Sequence, residues 1–209
     1  LGKAHRDRRI VASAFSGLGT VELREADLAT ARRRFEAARR ILAALADRSR
    51  MPALTYMMAM CALSEGQLDV AEAGFEESLT LYRAQGNAAG ILHTLHNLGD
   101  VAWARGDLAA AEARYAAAMD QPTLGDQMRA WLHFRLAESR LASGDEAAGA
   151  DHARKAMAIA REHGIDDVVA ECWRVMAQIA AGRSDHDVAA QHIAASLRLW
   201  HEHGGFDGA

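Results

Sequence analysis

His93, His96 and Asp100 stand in the pattern H-x2-H-x3-D. On a helix that spacing puts all three side chains on one face. Imidazole and carboxylate together suit zinc or a similar ion. No fourth ligand stands nearby in the sequence, so we read the three as polar lining of a surface and expect no bound metal or cofactor. His192, His201 and His203 form a looser group near the end of the chain, read as the solvent-facing side of a last, fraying helix. Cys61 and Cys172 sit among apolar neighbours, where a thiol is ordinarily buried and inert. Arg32, Arg33 and Arg34, with Arg39 and Arg40, make the one basic cluster. Glu36 interrupts it and no aromatic platform accompanies it, so it reads as a solvated helix face. The chain contains no P-loop, dinucleotide-binding glycine pattern, nucleophile elbow or zinc-protease motif. These residues point away from catalysis, and the expectation is a protein that is not an enzyme.

The elements that carry these residues follow from an internal repeat. A turn signal recurs at Ala26-Asp27, Gly66-Gln67, Gly106-Asp107, Gly144-Asp145 and Ser184-Asp185, at spacings of 40, 40, 38 and 40 residues. A second signal lies half a repeat away, at Asp7, Asp47, Asn87, Asp126 and Asp166. Two turns per repeat, each followed by a helix-compatible stretch, predict two helices per repeat, and a fixed period of this length marks a stacked solenoid. In the third repeat the spacing predicts one helix over Ala88–Arg105, capped by Asn87, and a second over Leu108–Asp120. Strand patterns of alternating β-branched and aromatic residues are missing. Pro52 and Pro122, the two prolines, fall where a helix begins or a turn lies. The reading is all-α, with residues 1–209 forming a single array. Its repeats span roughly 8–46, 47–86, 87–122, 123–163 and 164–203, with tails at 1–7 and 204–209.

Half of the residues are hydrophobic and the formal net charge is −4, a mixed balance that argues against direct nucleic-acid binding. Two cysteines 111 residues apart make no disulfide framework, which favours a reducing compartment. No apolar run approaches a membrane span and no signal peptide opens the chain. We therefore expect a cytoplasmic protein without a membrane partner. Lysine occurs only at positions 3 and 155 against many arginines, which hints at a GC-rich bacterial genome. The chain starts at Leu1 rather than Met, which reads as a piece of a longer protein.

The repeats resemble the tetratricopeptide repeat, whose pattern runs Trp-x2-Leu-Gly-x2-Tyr and then Ala-x3-Phe-x2-Ala. Repeat one has Phe15-x2-Leu18-Gly19 and Ala31-x3-Phe35-x2-Ala38, and repeat three has Leu95-x2-Leu98-Gly99 and Ala111-x3-Tyr115-x2-Ala118. Repeat two keeps Ala71-x3-Phe75-x2-Ser78, repeat four Gly149-x3-Ala153-x2-Ala156, and repeat five Trp173-x2-Met176-Ala177. The period of about 40 exceeds the family's 34, and is similar to arrays in large bacterial transcriptional regulators and signalling scaffolds. The resemblance implies a right-handed α-solenoid of about five helix pairs, in which the first helix of each pair lines a concave groove that binds a partner. The lining positions carried onto this chain include Tyr56 and Met60 in repeat two, and His93, His96, Asp100 and Trp103 in repeat three. Repeats four and five add Trp131, Phe134 and Glu138, and Arg174. Aromatic side chains rimmed by polar ones mark interaction sites. The same side chains packed shut against one another are the alternative, and we take the groove.

Three functions fit this reading. A scaffold would hold a peptide or helical segment in the groove. A sensor domain of a larger bacterial transcriptional regulator would bind a ligand or protein there. A self-association module would pair end repeats into a homo-oligomer, because helix B of repeat five carries Ile193, Leu197, Leu199 and Trp200. The scaffold is the first expectation.

Overall fold

Each predicted turn between the two helices of a repeat puts the backbone into the left-handed region. Gly66, Gly106 and Gly144 adopt φ of 72°, 78° and 85°, and glycine does so without strain. Ala26 and Ser184 hold the same conformation at φ 60° and 63°, where a Cβ costs about 1–2 kcal/mol. The next residue then starts the following helix. Asp27, Asp107 and Asp145 accept hydrogen bonds from the backbone N–H groups of Thr30, Ala110 and Ala148 at 3.1, 3.0 and 3.1 Å. Gln67 makes no such cap.

The computed structural model describes residues 2–202, with side chains from His5 to His201. His203 and the tail 204–209 lie outside the described residues. Among the described residues there are ten α-helices and no strand: α1 (Gly2–Arg24), α2 (Leu28–Ala44), α3 (Met51–Ser64), α4 (Leu68–Gln85), α5 (Ala88–Ala104), α6 (Leu108–Met119), α7 (Asp126–Ala142), α8 (Glu146–His163), α9 (Asp166–Gly182) and α10 (His186–Glu202). Residues 2–7, read from sequence as a tail, are the start of α1. No helix among the described residues is long and apolar enough to cross a membrane.

The chain divides into two compact units, residues 1–106 and 107–209. In the first, α1 packs on α2, α3 on α4, and α5 on α4, while the first helices also meet directly, α1 with α3 and α3 with α5. In the second, α7 packs on α8, α9 on α8 and α10, and α7 meets α9. The aromatic of the Ala-x3-aromatic pattern is the wedge of α1–α2 and of α3–α4: Phe35 and Phe75 are fully buried, and so is Tyr115 on α6. Gly19 shows why a small residue belongs opposite the wedge. A Cβ there would stand 2.8 Å from Cε1 of Phe35. In α3 and α4 the roles are exchanged, with the Cβ of Ala59 lying 2.9 Å from where Gly74 would carry one.

Charged pairs tie the second helix of one repeat to the end of the next repeat's first helix. Arg105 reaches Asp69 and Glu72 at 2.5 and 2.6 Å, Arg140 reaches Glu112 at 2.9 Å, and Arg183 reaches Glu146 at 2.9 Å. Between α2 and the end of α3 the sign is reversed, with Arg32 on Glu65. Exposed pairs of this kind contribute about 0–1 kcal/mol each, so they tune register more than stability.

Candidate functional site

In the first unit, α3 and α5 lie side by side and bring three of the six sequence-predicted residues, Tyr56, His96 and Asp100, into two groups. The Asn97 amide donates to the Tyr56 hydroxyl at 2.5 Å, and the Tyr56 ring lies 5.5 Å from that of Phe75 at 60°. Burial pushes the Tyr56 phenol up to about 12, against the lowering effect of the Asn97 hydrogen bond, with Tyr82 and Asp100 adding to the rise. Tyr56 is therefore a neutral hydroxyl held in place. One turn along α5, His96 Nε2 and Asp100 Oδ2 stand 3.6 Å apart with both side chains mostly buried. That separation is an ion-pair distance, longer than a hydrogen bond. Met60 and Trp103 are half-buried, and His93 is exposed. Among the described residues no three His, Cys, Asp or Glu side chains converge as a metal-ligand set.

The second unit is organised by charge. Glu138 on α7 accepts from Arg135 at 2.9 Å and from Arg174 on α9 at 2.7 Å, and Arg174 also donates to Glu171 at 2.8 Å. Burial works against the Arg174 cation, but the hydrogen bonds to Glu171 and Glu138 overcome it and raise its pKa. Trp131 meets Phe134 edge-on at 5.5 Å, and the Arg135 guanidinium lies 5.9 Å from the Phe134 ring. The two aromatics differ in depth. Phe134 is 3% exposed and belongs to the core with Val168, Cys172 and Val175, whereas Trp131 is half-buried at its edge. Phe134 thus supports the surface from beneath, and Trp131, Glu138 and Arg174 form it.

The remaining sequence candidates fall into place by packing. Cys61 and Cys172 are fully buried, and burial raises both thiols, Cys172 to about 12, so neither is a thiolate at neutral pH. Arg32 pairs with Glu65, and Arg34 pairs with Glu22 at 3.2 Å while lying 5.7 Å from the Phe15 ring. That part of the basic cluster ties helices together. His192 stacks on Trp173 at 4.8 Å.

Asn97 was not singled out in the sequence, although it holds Tyr56. Its signal is a polar residue inside the apolar stripe of α5, since Leu95 and Leu98 flank it and all three are buried. Arg135 and Glu171 are likewise part of the charge network around Glu138.

Residues 49–121 match the family model described as Tetratricopeptide repeat. No curated protein sequence matches the chain. Among solved structures the chain is similar to BtubC (BKLC) from P. vanneervenii, with 16% identity and a TM-score of 0.78 over 97% of this chain and 84% of that one. It is similar to PilF of Pseudomonas aeruginosa, at 18% identity and a TM-score of 0.71 over 92% of this chain and 78% of that one. It is also similar to the Rap conjugation gene regulator of the plasmid pLS20, solved in complex with the Phr* peptide, at 14% identity and a TM-score of 0.71. That match covers 93% of this chain and 63% of the regulator, so this chain spans less than two thirds of its length. At such identities the likeness is one of fold: an all-α solenoid of helix pairs. Residues 49–121 thus match the tetratricopeptide repeat, and over 97% of its length the chain shares the helix-pair fold of the BtubC structure.

Proposed function

We propose that the protein is a non-enzymatic scaffold that holds a peptide or helical segment against the first-helix faces, α3 with α5 in the first unit and α7 with α9 in the second. Tetratricopeptide repeats as a family are protein-interaction modules, and the observation that carries the reading here is the state of these faces. Tyr56 is fixed by Asn97, and Glu138 by Arg135 and Arg174. Trp103 on α5 and Trp131 on α7 meanwhile remain half-buried. Groups already held in one geometry lose little freedom on binding, and half-exposed tryptophans are the commonest hot-spot anchors. Tyr56, Met60, His93, His96, Asp100, Trp103, Trp131, Glu138 and Arg174 are the contact residues in this proposal, with Phe134 as their support. The peptide bound to the pLS20 regulator belongs to that protein; its fold shows that a relative of similar architecture accepts one.

A screen of displayed peptides tests the reading, with hits measured by titration against wild type and against Trp103→Ala and Trp131→Ala. Binders weakened about tenfold or more by either change, a loss of hot-spot size, support the scaffold. A set of binders indifferent to both changes would remove the first-helix faces from the account.

A second reading has its own observation. Ile10, Leu18 and Val21 on α1 are 60%, 48% and 50% exposed, and Ile193 and Leu197 on α10 are 50% and 47% exposed. Self-association through these end helices would cover them. Sedimentation of wild type beside Leu18→Asp and Leu197→Asp distinguishes the two readings, because a concentration-dependent mass that either change abolishes would assign the end faces to a homo-oligomer.

A further inference from the structure

The packing of α3 against α4 leaves a space that the other pairs fill. At the register of Thr55 on α3 and Gly74 on α4, the α1–α2 pair has Phe15 with Arg34 over it, α7–α8 has His133 beside His152, and α9–α10 has Trp173 stacked on His192. In α3 and α4 the corresponding residues are small, and Gly74 draws the two helices into contact at Ala59. Above that contact lies a cavity of about 570 Å³, walled on its third side by α2 and floored by Thr55, Met58, Ala59, Ala62 and Ala73. Its volume falls in the range of small-molecule sites, roughly 300–1,000 Å³.

Thr55 gives the cavity a polar spot. The residue is 6% exposed and lines the cavity, which places its hydroxyl where a ligand would sit. The charged wall has a sign as well. Arg32 is engaged by Glu65 and Asp69 by Arg105. Among the described residues no ion pair holds Glu36 on α2 or Glu77 on α4, which also line the cavity, and of the lining cations Arg39 is left to balance them. Val70, 58% exposed, adds an apolar edge at the rim.

We propose that this cavity binds a small cationic amphiphile: a ring or short alkyl body over Met58, Ala59 and Ala73, a polar atom at the Thr55 hydroxyl, and an amine toward Glu36 and Glu77. The site lies on a different face of α3 from Tyr56 and Met60. Thr55 and Ala59 sit about 100° around the helix from Tyr56 and Met60 respectively at 100° per residue. It is independent of the scaffold reading, and neither outcome for one decides the other.

Phenethylamine and 3-phenylpropionate are the probes, sharing a phenyl ring and differing in charge. Titrated into the 209-residue chain with methyl-labelled methionine, phenethylamine shifts the Met58 methyl saturably. It binds about tenfold tighter than phenylpropionate, a preference that fades with added salt. Ala73→Phe, at an exposed position that tolerates size, fills the cavity and abolishes the shift, with circular dichroism confirming the fold. Thr55→Val keeps the shape and weakens binding, and Glu36→Gln with Glu77→Gln removes the preference for the amine. No saturable shift, equal affinity for the two probes, or an unaltered response in Ala73→Phe would each overturn the proposal.

Discussion

The pairs α3–α4 and α7–α8 face the same packing problem and answer it oppositely. In α3–α4 the outer register is emptied by Thr55 and Gly74 and a cavity remains. In α7–α8 two imidazoles occupy it, with the Nδ1 atoms of His133 and His152 3.0 Å apart. The inner register stays apolar and fully buried in both pairs, with Phe75 in α4 and Ala153 at the matching place in α8. The repeat therefore keeps its inner register apolar and leaves the outer register free to vary. Stability resides in the first, and individuality in the second.

The largest effect should come from the buried rings. Phe75→Ala and Phe134→Ala each remove a buried ring and should cost about 3–5 kcal/mol in urea unfolding. A cost below about 1 kcal/mol for Phe134→Ala would place that ring on the surface and undo the distinction drawn from Trp131.

The histidine pair offers a pH test that α3–α4 lacks. Burial first, then the neighbouring His152, Lys155 and Arg129, hold His133 down at about 4, with Asp151 opposing; burial and Lys155 also lower His152, with Asp151 opposing, Arg140 lowering it further and Glu112 raising it. One ring must donate and the other accept, which requires at least one neutral imidazole. Between about pH 6.5 and 4 the unfolded chain binds more protons at this pair than the folded one. Its contribution to stability is thus complete above pH 6.5 and is lost as pH falls toward 4. His133→Leu, which installs the residue that repeat three carries at Leu95, should flatten the dependence of the melting temperature on pH in that window. An unchanged profile would place the dependence elsewhere.

Smaller changes sharpen the account of the partner face and the turns. Tyr56→Phe deletes the acceptor of Asn97, which is 6% exposed. The change should cost about 1–3 kcal/mol in thermal or urea unfolding. At the turns, Ala26→Gly and Ser184→Gly relieve a left-handed residue at φ 60° and 63°. Each should stabilise by about 0.5–1 kcal/mol, the relief of strain being partly offset by the added freedom of the unfolded chain. Gly106→Ala should do the reverse, by a similar amount.

The helix pairs were legible in the sequence because their punctuation is local. A left-handed turn residue followed by a capping Asp recurs, and even where Ala26 and Ser184 replace glycine the spacing of 40 residues marks the place. The sharing of the predicted face was less legible. Trp131 and Phe134 are three residues apart and fall on one side of α7 by periodicity alone. Their different depths are set by neighbouring helices: Phe134 is buried in one cluster with Val168 and Cys172 of α9, and Trp131 packs at the edge of that cluster. The Tyr56–Asn97 bond joins residues 41 apart, and no window along the chain pairs them. The cavity beside Thr55 is written only as the absence of size, visible once the same register is compared across helices that pack.

A photoreactive amino acid placed by position tests the central claim, that partners sit on the first-helix faces, most directly. It would replace exposed His93 on α5 or Gln178 on α9, and as comparison Arg33 on α2 or Arg154 on α8. Irradiated in lysate of the source organism, the first two positions should cross-link a shared set of proteins, suppressed by Trp103→Ala with Trp131→Ala, and the second two should not. Cross-links confined to Arg33 and Arg154, or equal at all four positions and indifferent to the tryptophans, would contradict the account.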